Sequence, residues 1–175
     1  MTALLPGLAS GTWTVDTASS TAEFRARDVL RKTVVGTLPV LSGSVQVSPA
    51  GEPVQVAAAL DLAGVETGNA RRDSDLRGRR FFHVERGATL CVTAGPARRD
   101  GDGRWLLSGE LVLHEVRCPV ELTAELVSLA GDRAVVRATT SLDRRDAGID
   151  VPQLLVGRQV DVIVDAVLRA PRETT

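Results

Sequence analysis

The sequence predicts an all-β domain whose antiparallel sheet closes into a barrel, and three observations carry that prediction. Apolar and polar residues alternate with period two along most of the chain. Glycine, proline and aspartate break the alternation at short intervals, and helical periodicity is nearly absent. At 175 residues the chain suits one domain with a sizeable apolar core.

Taken in order, the first clear strand runs through Ala22, Phe24 and Ala26, which alternate with Glu23, Arg25 and Arg27 to give one apolar and one charged face. Val34 to Leu41 and Gly43 to Val47 follow. Pro49, Gly51 and Pro53 mark a loop, after which Val54, Val56, Ala58, Leu60 and Leu62 share one side. The pattern resumes in Thr89 to Ala94, Arg104 to His114, Val120 to Leu129, Arg133 to Leu142 and Gln159 to Leu168. Asp100 to Gly103 and Gly131-Asp132 carry residues that tolerate positive φ, so they predict hairpins and antiparallel neighbours. About eight such strands must dispose of their edges, and closure does so completely; a two-sheet sandwich is the alternative. Asn69 to Arg80 lacks β-branched residues and is dense in charge. It predicts a short helix or ordered loop crossing one barrel end. Residues 11–169 then form the domain, with 1–10 and 170–175 as flexible flanks.

Composition excludes several function classes. The 21 basic and 22 acidic residues nearly cancel, so no whole-chain field draws the protein to nucleic acid or to an anionic membrane. The run from Arg71 to Arg80, with Phe81 and Phe82 as a stacking platform, is too local a patch to make nucleic acid the expected partner. No apolar run approaches the roughly 20 residues of a membrane-spanning helix. Met1 to Ser10 lacks a cationic start, which predicts a cytoplasmic rather than exported protein. In that compartment Cys91 and Cys118 are expected as free thiols.

No catalytic or metal pattern is present. His83, Cys91, His114 and Cys118 are the only imidazoles and thiols, and they lack paired-ligand spacing, so neither a metal nor another cofactor is expected. Ser74 and Cys91 have no elbow or triad around them, and Asp73 and Asp75 read as charge partners of neighbouring arginines. The interior is more informative. Ala22, Ala26, Ala58, Ala124 and Ala166 fall on apolar faces, and the aromatics are only Phe24, Phe81, Phe82, Trp13 and Trp105. Close packing then requires either a narrowed, filled barrel or a guest in the lumen.

The stretch Thr67-Gly68-Asn69, then Arg72-Asp73, Leu76 and Phe81-Phe82 resembles the signature of the YceI-like family of lipocalin-like barrels associated with polyisoprenoid binding. Further landmarks follow in the family's order: Trp13 to Asp16, Val35-Gly36, Gly109 to His114, Cys118-Pro119-Val120, and Arg144 to Ile149. The resemblance covers roughly residues 11 to 169. Two positions depart from it: Asp28 stands where members often carry His, and Glu115 replaces the Gly that often follows His114.

The resemblance implies an elongated apolar cavity for a long isoprenoid or fatty chain, with polar residues at one mouth. Phe24, Leu38, Val45, Val56, Ala58, Leu60, Phe81, Phe82 and Leu113 are candidate lining residues, each of which could equally be ordinary core. Arg71, Arg72, Arg77, Arg79 and Arg80 offer planar forks for an anionic head group, with Arg71 the candidate contact. Arg72 and Asp73 are expected instead to pin the crossing segment. The expected function is non-enzymatic binding, transport or sequestration of a lipid-like chain, with homodimerisation open. The alternatives are a filled barrel serving as an interaction module, and a small hydrolase or isomerase acting on an apolar substrate.

Overall fold

The computed structural model describes residues 7–28, 30–151 and 156–172. Its strands are β1 (Gly11–Val15), β2 (Thr21–Arg27), β3 (Thr33–Leu38), β4 (Val40–Val47), β5 (Pro53–Asp61), β6 (Thr89–Ala94), β7 (Arg98–Arg99), β8 (Trp105–Leu113), β9 (Val116–Ala130), β10 (Arg133–Asp143) and β11 (Gln159–Arg169). A single α-helix among the described residues, α1 (Ala70–Arg77), lies between β5 and β6.

Pairing runs β1-β4-β5-β6-β8-β9-β10-β11, and β11 returns to β1 through Thr14 opposite Arg169 and Val15 opposite Leu168. Those eight strands form a closed antiparallel barrel. β2 and β3 lengthen two of its staves: β2 continues along β11 beyond β1, and β3 leads into β4 across Pro39. The chain breaks between β1 and β2, where β11 would lose a partner. Buried Ser20 fills the gap, its hydroxyl accepting from Val167 N at 2.9 Å and donating to Asp16 O at 2.7 Å.

Local chemistry explains the joins. Gly131 takes a φ of +59° between β9 and β10, and His114 takes +55° between β8 and β9. The Asp100 carboxylate accepts from Asp102 N and Arg104 N, both at 2.9 Å, and so builds the turn from β7 to β8. Asn69 caps α1 by accepting from Arg72 N at 3.0 Å.

The observed elements differ from the sequence reading at several places: the expected strand Val34 to Leu41 is broken at Pro39, so that Val40 and Leu41 belong to β4, and the two-residue β7 was not expected. β1 is a strand that the alternation did not isolate, because only five residues precede the break. β9 begins four residues earlier than expected and takes in Pro119, opposite Glu110, without a shift in register. The folded unit also extends past both expected margins. Leu8 is 3% exposed, Trp13 Nε1 donates to Ala9 O at 2.8 Å, and Ala170 N donates to Asp132 O at 2.7 Å. Apolar burial at the barrel's end recruits these flanking residues, which sequence alternation cannot register.

Two apolar clusters occupy the ends. Trp13, Trp105, Leu107 and Leu168 join Leu8 and Val47 at one end. Phe24, Leu38, Leu60, Val65 and Leu113 form the other, beneath the segment that carries α1. In the second cluster Gly36 stands opposite Phe24, and a Cβ there would lie 2.2 Å from the ring's Cζ. Replacing Gly36 with Val should therefore destabilise the fold by about 1–3 kcal/mol through displacement of that ring. Urea unfolding would measure it, and Val35→Ile on the neighbouring exposed position should leave the midpoint nearly unchanged.

Candidate ligand cavity

The barrel is hollow. Val56, Ala58, Val92, Leu122, Val136, Val162, Val164 and Ala166 point inward, yet each is only partly buried because it faces an internal space. That space is an inner cavity of about 140 Å³ whose wall is almost entirely carbon. It has room for roughly ten water-sized spheres, but an apolar site of this kind offers water no partners and favours a hydrocarbon guest. Leu8 and Trp105 close one end. Trp105 is held there by its Nε1–H, which donates to Glu52 Oε2 at 2.7 Å, and Arg99 stacks over its ring at 5.1 Å while pairing with Glu52 at 2.9 Å.

Towards the other end lies a second apolar cavity of about 110 Å³. Leu60, Leu90, Leu111 and Val162 line both. Phe24 and Phe82 meet edge to face at 6.2 Å in this part. A vestibule of about 590 Å³ follows, sharing Phe24, Ala26, Leu76, Phe81 and Val156 with the second cavity. Its rim is polar and basic: Arg27, Arg72, Arg79 and Arg80 line it together with Asp28, Ser74 and Asp75.

Buried clamps hold the mouth in shape. Asp73, 8% exposed, accepts from Thr67 N at 2.9 Å and from the Thr67 hydroxyl, while Arg72 donates through Nε to that hydroxyl oxygen at 2.8 Å and through Nη2 to Thr67 O at 2.9 Å. Arg77 donates to Ala63 O at 2.8 Å and to Val65 O at 3.2 Å. Arg144, 3% exposed, donates to the carbonyls of Ile149, Val151, Val156 and Gly157 at 2.8–3.1 Å and has no carboxylate partner among the described residues. Asp28 accepts from Leu30 N and Lys32 N, both at 2.9 Å, so its carboxylate shapes the turn between β2 and β3.

Of the residues nominated from sequence, Val45, Val56, Ala58 and Leu60 line the inner cavity. Phe24, Leu38, Leu60, Phe81, Phe82 and Leu113 line the second. Arg71 does not join them: it is exposed on α1 and lines none of the three spaces, because that helix turns Leu76 inward instead. Sequence reasoning missed Arg27, whose place at the end of β2 puts it on the vestibule. It also missed Leu8 and Trp105, both on the wall of the inner cavity. Burial of Trp13 and Trp105 was legible in principle from their positions on strand faces.

The titratable groups near the lumen are structural. His114 Nε2 lies 3.0 Å from Gly87 O and 3.2 Å from His83 O, so its N–H is spent on the loop after α1. Among the described residues no cluster of three or more His, Cys, Asp or Glu side chains could hold a metal ion. Arg145, bonded to the Asp143 carboxyl, holds it down to about 2. Burial pushes the Cys118 thiol up, and the charges of Asp146 and Asp143 add to the effect. Cys91 is exposed and Cys118 buried, and the two are free thiols.

Comparison with known proteins agrees with this architecture. Residues 13–168 match the YceI-like domain. A UPF0312 protein of Serratia proteamaculans is 27% identical over 150 residues, spanning 81% of this chain and 77% of that protein. Protein YceI of Escherichia coli O157:H7 is 28% identical over 122 residues; the match spans 67% of this chain and 62% of that protein. Among solved structures, Burkholderia cenocepacia BcnA superposes with a TM-score of 0.78 at 14% identity, covering 87% of this chain and 98% of that one. A polyisoprenoid binding domain from Saccharophagus degradans superposes with a TM-score of 0.71 at 18% identity, covering 91% and 98%. At these identities the superpositions show the fold.

The two thiols give a direct check on which strand faces are wet. With a maleimide reagent one thiol per chain, the exposed Cys91, should react quickly in the native state. Cys118 should react only in denaturant, since both its burial and its raised pKa suppress the thiolate. Two fast thiols at neutral pH would contradict the inward placement of Cys118.

Proposed function

The chain belongs to the YceI-like family, and from that premise we propose that it is a non-catalytic binding protein that carries or sequesters a long isoprenoid or fatty chain within its barrel. The observation that carries the reading is the run of adjoining apolar cavities, with Trp105 and Leu8 on the wall at one end and the basic vestibule at the other. Burial of each methylene contributes roughly 0.8 kcal/mol, so a chain of several isoprene units binds through area alone. The polyisoprenoid binding domain of Saccharophagus degradans, with the same fold, supports the choice of ligand class. A hollow interior also weighs against a filled barrel acting only through its outer face.

Native mass spectrometry of freshly purified protein, followed by organic extraction, tests the proposal. A stoichiometric long-chain adduct is expected, or uptake of an added polyprenyl alcohol by protein that purifies bare. Ala58→Trp places an indole in the inner cavity and should remove the adduct while the thermal midpoint stays close to that of the parent. Wild-type protein that neither carries nor accepts such a chain would overturn the reading.

A further inference from the structure

We propose that the turn between β2 and β3 docks the protein on the surface of an anionic lipid bilayer, with Leu30 entering the membrane and Arg31 and Lys32 lying among its head groups. Leu30 is 69% exposed, more than any other large apolar side chain among the described residues. The turn that carries it is tied down by its own backbone. Asp28 N donates to Lys32 O and Arg31 N to Asp28 O, both at 2.9 Å, and the Asp28 carboxylate accepts from Leu30 N and Lys32 N. Leu30 is therefore displayed on a fixed projection. Arg31, beside it, takes a φ of +59°, a conformation that glycine adopts at less cost, and the position holds a long cation instead.

A single exposed leucine is ordinary on a protein surface. Leu30 differs in its setting. Within residues 27–32 three cations, Arg27, Arg31 and Lys32, stand against one carboxylate, and that carboxylate is bonded to the amides of its own turn. Exposed Arg158 adjoins them through Gly157, whose N–H donates to Arg27 O at 2.9 Å. The whole chain has a net charge of −1, so attraction to an anionic surface is confined to this part of the molecule. Val127 makes the contrast: it is 52% exposed towards the opposite end of β9, between Leu126 and Ser128 and with Glu125 close in sequence. One inserted apolar side chain and a few cations give weak, reversible membrane binding. Arg27 and Asp28 also line the vestibule, so docking through this turn sets the vestibule against the lipid. On the apolar-chain reading above, that shortens the path of a hydrocarbon tail through water; docking itself does not depend on that reading.

The test is flotation of the full chain with vesicles made of equal parts phosphatidylcholine and phosphatidylglycerol, against vesicles of phosphatidylcholine alone. Binding to the anionic vesicles is expected at low salt and should fall at high salt. Leu30→Ser and the R31Q/K32Q double variant should each weaken it about ten-fold, with thermal midpoints close to the parent's, whereas Val127→Ser should bind like the parent. Leu30→Trp should shift its emission to shorter wavelength on anionic vesicles and be quenched by dibrominated phosphatidylcholine; Val127→Trp should do neither. A parent protein that does not float with anionic vesicles at low salt would overturn the inference. So would parent-like binding by both Leu30→Ser and R31Q/K32Q, or quenching of Val127→Trp in place of Leu30→Trp. Flotation needs no guest in the lumen, so failure of the native mass spectrometry test would count against the carrier reading alone.

Discussion

The mismatch between circumference and filling is the constraint on which this structure depends. Eight staves fix the width of the barrel, and the inward positions of a barrel that size can be filled by large side chains or can enclose a guest. Here the middle of the lumen is lined by Ala58, Ala124, Ala138, Ala166 and a set of valines, which are too small to meet across it. The two tryptophans, which could fill that space, are committed to its end. Trp13 is 1% exposed and Trp105 2% exposed, both in the cluster with Leu8 and Leu168. Packing density is therefore high at the sealed end and low in the middle, and the internal space is where the fold places its apolar surface.

At the open end the apolar cluster around Phe24 and Leu113 is supplemented by polar clamps. The chain uses arginines and carbonyls. Arg144 ties Ile149 and Val151 to Val156 and Gly157 through their backbone oxygens, and Arg77 fixes the turn around Ala63 and Val65 in the same way. A buried carboxylate partner would have neutralised each cation. Carbonyls satisfy the guanidinium's donors and leave its charge in place, so the clamps hold loops without making the mouth acidic. Before α1, Thr67 accepts from Arg72 and donates to the buried Asp73 carboxylate, which ties the start of the helix to the chain leading into it.

Most of the barrel was legible in the sequence because a half-buried strand writes its alternation directly into the chain, and the hairpin turns at Asp100 to Gly103 and Gly131 announce themselves through residue type. The elements that were missed are those with too little length to alternate or with a second constraint on top. β1 has five residues, and the start of β9 hides behind Pro119. Inward positions were also legible, since period two assigns a face. Helical arginines were not: α1 is eight residues long, and which of Arg71, Arg72, Arg77 and the following Arg79 and Arg80 face the vestibule depends on how Leu76 docks, a tertiary fact. Arg27 escaped for the related reason that a charged residue on the outer face of a strand becomes a rim residue only when a crossing segment is laid over that end.

The two ends of the lumen are thus chemically unlike, and this asymmetry determines how an amphiphile can sit in it. At the end closed by Trp105, Glu52 and Arg99 are bonded to each other and Glu52 accepts from the Trp105 indole, while the cavity wall is almost entirely carbon. A head group driven inward would lose its water without gaining partners, a cost of several kcal/mol for an ionised group. At the open end Asp28 is turned to its own backbone and the arginine side chains face a wet vestibule. Asp28, the departure from the family pattern, therefore belongs to the rim's architecture: with its carboxylate tied to Leu30 and Lys32, the turn between β2 and β3 is set by local hydrogen bonds. An amphiphile bound there would enter tail first, because of the burial cost at one end and the solvation available at the other.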